Sequence, residues 1–265
     1  MKKYPLEFIV QVVSLLVAFI VVHSLYVVFV RPTAYAILAE QAAAMRVDPN
    51  YIQERSFWVV IKDYEQESEI TLMLWALAIM SYKSVAASRA RRVLQEDLVP
   101  LTEGMKILPE DAREFTRQIQ SLPPEQRESL LSRTLLTALR RFTATRSIQD
   151  ASSTAHAVAA AESERLDSEL SMVRYILWAI PSIGFIGTVR GIGDALAQAH
   201  KAVEGDLSGV TESLGVAFNS TLIALLICLV LMFILHQLQL SQERLVLDTE
   251  RYLDEHLIQH LQVPS

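Results

Sequence analysis

The chain has 265 residues, of which 51% are hydrophobic, and a formal net charge of −6. Its mean hydropathy of +0.27 exceeds that of an ordinary soluble domain without making the whole chain apolar, so a mixed membrane protein is expected. The basic residues form no patch interleaved with aromatics, which excludes a nucleic-acid binder, and the single cysteine, Cys228, excludes an intramolecular disulfide framework.

Lys2 and Lys3 precede an apolar segment over residues 6 to 30. At 1.5 Å per residue it is long enough to cross a hydrocarbon core of about 30 Å, and residues 1–31 are expected to hold a first transmembrane helix. Ala34-Tyr35-Ala36 imitates a signal-peptide cleavage site, but the apolar core is longer than a signal requires and Arg31-Pro32 intervenes. His23 sits at membrane depth and reads as a helix-contact or near-interface histidine. Residues 32–69 are helical in pattern, with Asp48-Pro49-Asn50 as a turn, and their acidic balance suits the outer side of the membrane. The apolar run 70 to 80, extended through Tyr82, Val85 and Ala87 with Lys83 snorkelling, gives a second transmembrane helix over 70–88.

Arg89, Arg91 and Arg92 follow at once, and residues 89 to 170 hold half of all the Lys and Arg. By the positive-inside rule residues 89–172 form a cytoplasmic helical region, with both termini cytoplasmic. A competing layout has three spans and an outer N-terminus; Lys2 and Lys3 argue against it. Leu108-Pro-Glu-Asp and Leu122-Pro-Pro-Glu mark helix starts, and no proline or glycine follows until Pro181, which predicts one or two long helices running into the membrane. The alanine-rich 155 to 161 favours helix and close packing.

A transmembrane hairpin is expected over 173–238, continued by a cytoplasmic tail helix over 239–265, which makes the chain an all-α integral membrane protein with about four spans. In the third span Pro181, Gly184, Gly187 and Gly191 are the helix-packing residues. The glycines share one side with Thr188 and leave it nearly bare backbone. Small residues of this kind let membrane helices approach closely. Pro181 is placed to kink the helix.

Polar groups at membrane depth mark the hairpin: Thr188 and Arg190, Asp194 nearer the outer end, and Glu212, Asn219, Ser220 and Thr221 on the fourth helix. Such groups are costly unless they face a partner helix or a watery path, so Thr188, Thr221, Ser220 and Glu212 are candidates for an ion path. Arg190 either pairs with Asp194, four residues on, or reaches the outer interface. No nucleophile elbow, Walker sequence, zincin motif or dinucleotide fingerprint is present, so no enzyme and no cofactor is expected. His256 and His260 share a metal-ligand spacing but read as a solvated tail face.

Pro181-Ser-Ile-Gly-Phe-Ile-Gly-Thr-Val-Arg-Gly-Ile-Gly resembles the signature of the MotA/TolQ/ExbB proton channel family, whose members read Gly-Leu-x-Gly-Thr-Val-Trp-Gly-Ile at this point. Val210-Thr-Glu212-Ser-Leu-Gly is similar to the family's Ile-Ala-Glu-Ala-Leu, so the resemblance covers residues 172 to 240. Trp75 and the basic residues after the second span extend it weakly. The resemblance implies a bacterial inner-membrane protein, multi-pass, forming a homopentamer around single-span partners of the ExbD/TolR/MotB type. Each partner carries the titrating aspartate, and ion flux, of protons or sodium, drives mechanical work. It further implies that Thr188 is the third-helix threonine and Glu212 the acidic residue.

Two positions depart from the family pattern. Ala217 stands where a threonine is usual, and Thr221, one turn on, offers a replacement hydroxyl together with Ser220 beside it. Arg190 stands where tryptophan is usual. A non-transporting helical membrane scaffold or signalling protein is the alternative function, and a solute permease is disfavoured by the lack of an inverted repeat.

Overall fold

The computed structural model describes residues 4–47, 51, 54–94, 98 and 106–263. Lys2, Lys3 and the Asp48-Pro49-Asn50 turn lie outside these residues. The described chain is helical, without strands: α1 (Tyr4–Leu25), a π-helical segment (Tyr26–Val30), α2 (Arg31–Val47), α3 (Phe57–Val60), α4 (Tyr64–Val93), α5 (Ala112–Ser121), α6 (Pro124–Arg127), α7 (Leu130–Thr145), α8 (Ile148–Glu169), α9 (Ser171–Ala197), α10 (Ala199–Val203) and α11 (Ser208–His256). Four helical stretches are long and apolar enough to cross a membrane: Phe8–Val47, Tyr64–Val93, Ile148–Ala197 and Ser208–His260. The chain is thus an all-α membrane protein with long helical extensions.

Two compact units are present. The first comprises Met1–Met80 and Met172–Leu235. Its surface shows what a lipid-facing protein requires. Phe8, Leu16 and Phe19 on α1, Phe185, Ile186 and Val189 on α9, and Leu225, Leu229 and Phe233 on α11 all stand exposed. Inside it, Val22, Tyr26, Val30 and Ile61 form a small core, with Ile70, Leu74 and Ile223 packed against it.

Two prolines shape the membrane helices in different ways. Pro32 has no N–H to offer the Val28 carbonyl, and the helix meets this with a π segment in which the Arg31 N–H bonds Tyr26 O. Pro181 lies inside α9 without breaking it. The missing bond frees the Leu177 carbonyl, four residues back, and the Cys228 thiol donates to that carbonyl at 3.4 Å. The lone cysteine therefore replaces a bond that the proline removes. Between the hairpin helices Gly205 takes φ +99°, a conformation that favours glycine. Asp206 next to it accepts from the Ser208 side chain and from Ser208 N at 3.0 Å, which holds its carboxyl below the ordinary value.

The second unit comprises Ser81–Ser171 and His236–Ser265. Leu131, Leu135, Leu139 and Phe142 of α7 bury against Ala151 and Ala155 of α8, with Ile119 of α5 and Leu253 of α11 closing the same core. Alanine on α8 lets its backbone approach α7, so the alanine-rich stretch is a packing face. The proline-free run after Pro124 is divided, contrary to the expectation of one or two long helices. Arg146 adopts the left-handed conformation (φ 51°) and ends α7, and Ser147 then caps α8 by accepting from Asp150 N at 3.2 Å. Lys83 is buried and bonds Glu169 at 2.7 Å instead of reaching outward. The chain after α11 is held where Ile107 N donates to His260 O at 2.7 Å and Gln262 N to Ile107 O at 2.9 Å.

Candidate functional site: a hydroxyl pair on a glycine face

The site lies in the first unit, where the start of α4 packs against α9 and α11. Gly184, Gly187 and Gly191 are all buried. A Cβ built at Gly184 would lie 2.6 Å from Ala224 Cβ, one at Gly187 2.5 Å from Ser220 Oγ, and one at Gly191 2.7 Å from both Ala217 N and Ser213 O. Each distance is well inside van der Waals contact. The glycines are therefore required by the approach of α11, whose own facing residues Ser213, Ala217, Ser220 and Ala224 are small.

This closeness brings two hydroxyls together. Thr188 Oγ1 and Thr221 Oγ1 form a short hydrogen bond across the α9–α11 contact. Thr188 Oγ1 is also 3.1 Å from Gly184 O and 3.0 Å from Ala217 O, and Thr221 Oγ1 is 3.3 Å from Gly184 O. Two hydroxyl protons thus serve two carbonyls and the contact between the hydroxyls, so the pair has more acceptor sites than protons. Both threonines are only half-buried, which leaves them open to an additional donor. Ala217, at the position where the family places a threonine, faces Gly191 directly; a hydroxyl there would crowd that glycine.

Ser220 points away from this pair. It is fully buried, donates to Val216 O at 3.0 Å and meets the side-chain amide of Gln66 at 3.3 Å. Asn219 accepts from Arg55 Nη2 at 2.8 Å. Glu212 is exposed, and among the described residues no hydrogen bond or ion pair engages it. The structure thus joins Thr188 and Thr221, sets Ser220 behind them, and leaves Glu212 apart.

Arg190 reaches across to α4. Its Nε and Nη2 donate to the two oxygens of Glu65 at 2.7 and 2.9 Å, a bidentate pair, while Asp194 Oδ2 is more distant at 3.7 Å from Nη1. The Arg190 side chain is 46% exposed, so a screened pair is expected, whereas Glu65 is 11% exposed and depends on it. Arg190→Gln should therefore destabilise the protein by about 1–2 kcal/mol, and Glu65→Gln combined with it should restore part of that loss. Thermal unfolding in detergent over the double-mutant cycle measures the coupling; additive losses would show that the two side chains do not interact.

Sequence reasoning missed α4's contribution, because Glu65, Gln66, Glu67 and Glu69 sit in a polar stretch that read as lying outside the membrane. The available signal was their spacing: Glu65 and Glu69 are one helical turn apart and share a face. That face meets the glycine side of α9, where Glu65 Cγ lies 3.0 Å from the Gly187 Cβ position and Glu69 Oε1 lies 3.3 Å from that of Gly184. On the opposite side, Glu67 binds both Arg31 and His23, the latter at 2.6 Å, which accounts for the histidine at membrane depth.

Neither the comparison with curated proteins nor that with solved structures finds a match. Residues 126–251, from α6 through most of α11 with the threonine pair and glycine face inside that stretch, match the model of the MotA/TolQ/ExbB proton channel family.

Proposed function

We propose that the protein is the ring-forming subunit of an ion-driven channel or motor, with protons as the ion and five copies in the ring. The single observation that carries this reading is the Thr188–Thr221 pair, two hydroxyls with spare acceptor capacity on a close helix contact of an ion-channel family sequence. Because a hydroxyl both donates and accepts, it can serve a carboxyl in either protonation state as that carboxyl passes. The family works with ExbD/TolR/MotB-type partners. A single-span partner of that type would supply the titrating aspartate here.

In this reading the first span lies within residues 1–31 and the second within α4 (Tyr64–Val93), whose start packs on the hairpin; residues 32–63 lie outside, and the 173–238 hairpin forms the channel core. Residues 89–172 and 239–265 are cytoplasmic, in a bacterial inner membrane. Exposed Glu212 would face a neighbouring copy or the partner, while the bidentate Glu65–Arg190 pair fixes α4 to the hairpin.

Co-purification with a candidate single-span partner, followed by counting subunits in electron micrographs, tests the assembly. Five copies around a central partner helix pair is the expected result. A monomer or dimer with an empty centre would favour a membrane scaffold, in which the glycines serve packing alone.

A further inference from the structure

Glu65 and Glu69 stand one turn apart on the same face of α4, yet their surroundings differ. Glu65 is held by Arg190. Glu69 is fully buried, and both of its carboxyl oxygens lack any hydrogen-bond partner. Among the described residues no cation pairs with it. Arg190 is committed to Glu65, and Arg31 to Glu67 on the far side of α4. The titratable groups that interact electrostatically with Glu69 include Glu65 on its own helix, the Tyr26 hydroxyl from the π segment and the Cys228 thiol of α11. The Tyr26 hydroxyl is likewise buried and unpartnered, and the Cys228 thiol is turned to Leu177 O.

An isolated carboxylate in such a place is among the costliest arrangements a protein can hold, and it persists only where a proton or a cation visits it. Glu69 is also well placed to receive one. Its Oε1 lies 3.3 Å from the Cβ position of Gly184, the residue whose carbonyl takes hydrogen bonds from Thr188 and Thr221. One turn along α4, Glu65 and the half-exposed Arg190 lead to the surface. Half-exposed Arg190 thus holds Glu65, and one turn along α4 Glu69 is fully buried beside Gly184.

We propose that Glu69 is a proton-binding site of the transport machinery, carried by the ring subunit itself and set behind the Thr188–Thr221 pair. This rests on the channel reading and adds a second carboxyl to the one expected on the partner. When Glu69 holds a proton the buried carboxyl carries no charge; when the proton leaves, α4 must admit water or a donor beside the glycine face. Proton occupancy thereby alters the fit of α4 against α9 and α11.

The test is labelling of the full-length protein in membrane vesicles with dicyclohexylcarbodiimide, an apolar reagent that modifies protonated carboxyls, at a series of pH values, with the site mapped by peptide mass spectrometry. Modification at Glu69 that declines as pH rises is expected. It should disappear in Glu69→Gln and persist in Glu65→Gln and Glu67→Gln. Proton flux is read in the same vesicles, with the partner present; a clear loss in Glu69→Gln, with partial recovery in Glu69→Asp, is the expected companion result. Absence of Glu69 modification at every pH, or modification with undiminished flux in Glu69→Gln, overturns the proposal. If wild-type vesicles carry no partner-dependent flux while Glu69 still labels and titrates, the channel reading fails and the proton-binding site stands.

Discussion

Gly191→Val is expected to disrupt the α9–α11 contact and abolish transport. Of the three buried glycines, Gly191 has the least room to yield, because the atoms nearest its Cβ position, Ala217 N and Ser213 O at 2.7 Å, belong to the backbone of the facing helix. At Gly187 the nearest atom is the Ser220 side chain, which can rotate. Valine at 191 must push the helices apart, and overpacking of this kind costs about 1–3 kcal/mol or more. Separation of the helices also breaks the bond between Thr188 and Thr221, so function should fall further than stability. Thermal unfolding in detergent and vesicle flux measure the two effects; Gly187→Ala provides the milder comparison. Wild-type flux in Gly191→Val would show that the close approach is unnecessary.

The second large effect belongs to the hydroxyls. Thr188→Val and Thr221→Val keep the shape of the side chain and remove the bonds to Gly184 O, to Ala217 O and to each other. In stability each change should be modest, because both residues are half-buried and the carbonyls already bond within their helices. For transport each should lower flux about tenfold or more, the effect of losing one hydrogen bond to a charged group. The double variant should be little worse than either single one, because the pair acts as a unit. Serine at either position should retain flux, which separates the hydroxyl from the methyl group. Unchanged transport in Thr221→Val would remove Thr221 from the ion path.

Much of this geometry was readable from residue spacing. Three glycines and a threonine at three- and four-residue intervals define a side that only a close neighbour can fill, and Thr221, four residues after Ala217, returns to nearly the same side of its helix. The long α11 was also legible, since no glycine or proline interrupts its sequence after Gly215. Other features depend on tertiary contact. Arg190 has an acidic residue four positions on, but its closest partner is Glu65, 125 residues away in sequence, because α4 lies beside α9 there. Glu69 looked like one more charge in an acidic stretch; its burial arises only when that stretch meets the glycine face. The bond from Cys228 to the carbonyl freed by Pro181 likewise links residues that no local pattern connects. The break at Arg146 was missed because its signal is a single serine cap, Ser147, with neither proline nor glycine to mark it.

The central claim is that ions pass along the Thr188–Thr221 face when the partner is engaged. Its most direct test is proton uptake, followed with a pH-sensitive dye trapped in vesicles that contain this chain with its single-span partner, under an imposed membrane potential. Uptake should require the partner, should vanish when the partner's membrane aspartate is changed to asparagine, and should fall sharply in the Thr188→Val, Thr221→Val double variant. Equal uptake in that double variant and in the wild type would contradict the claim.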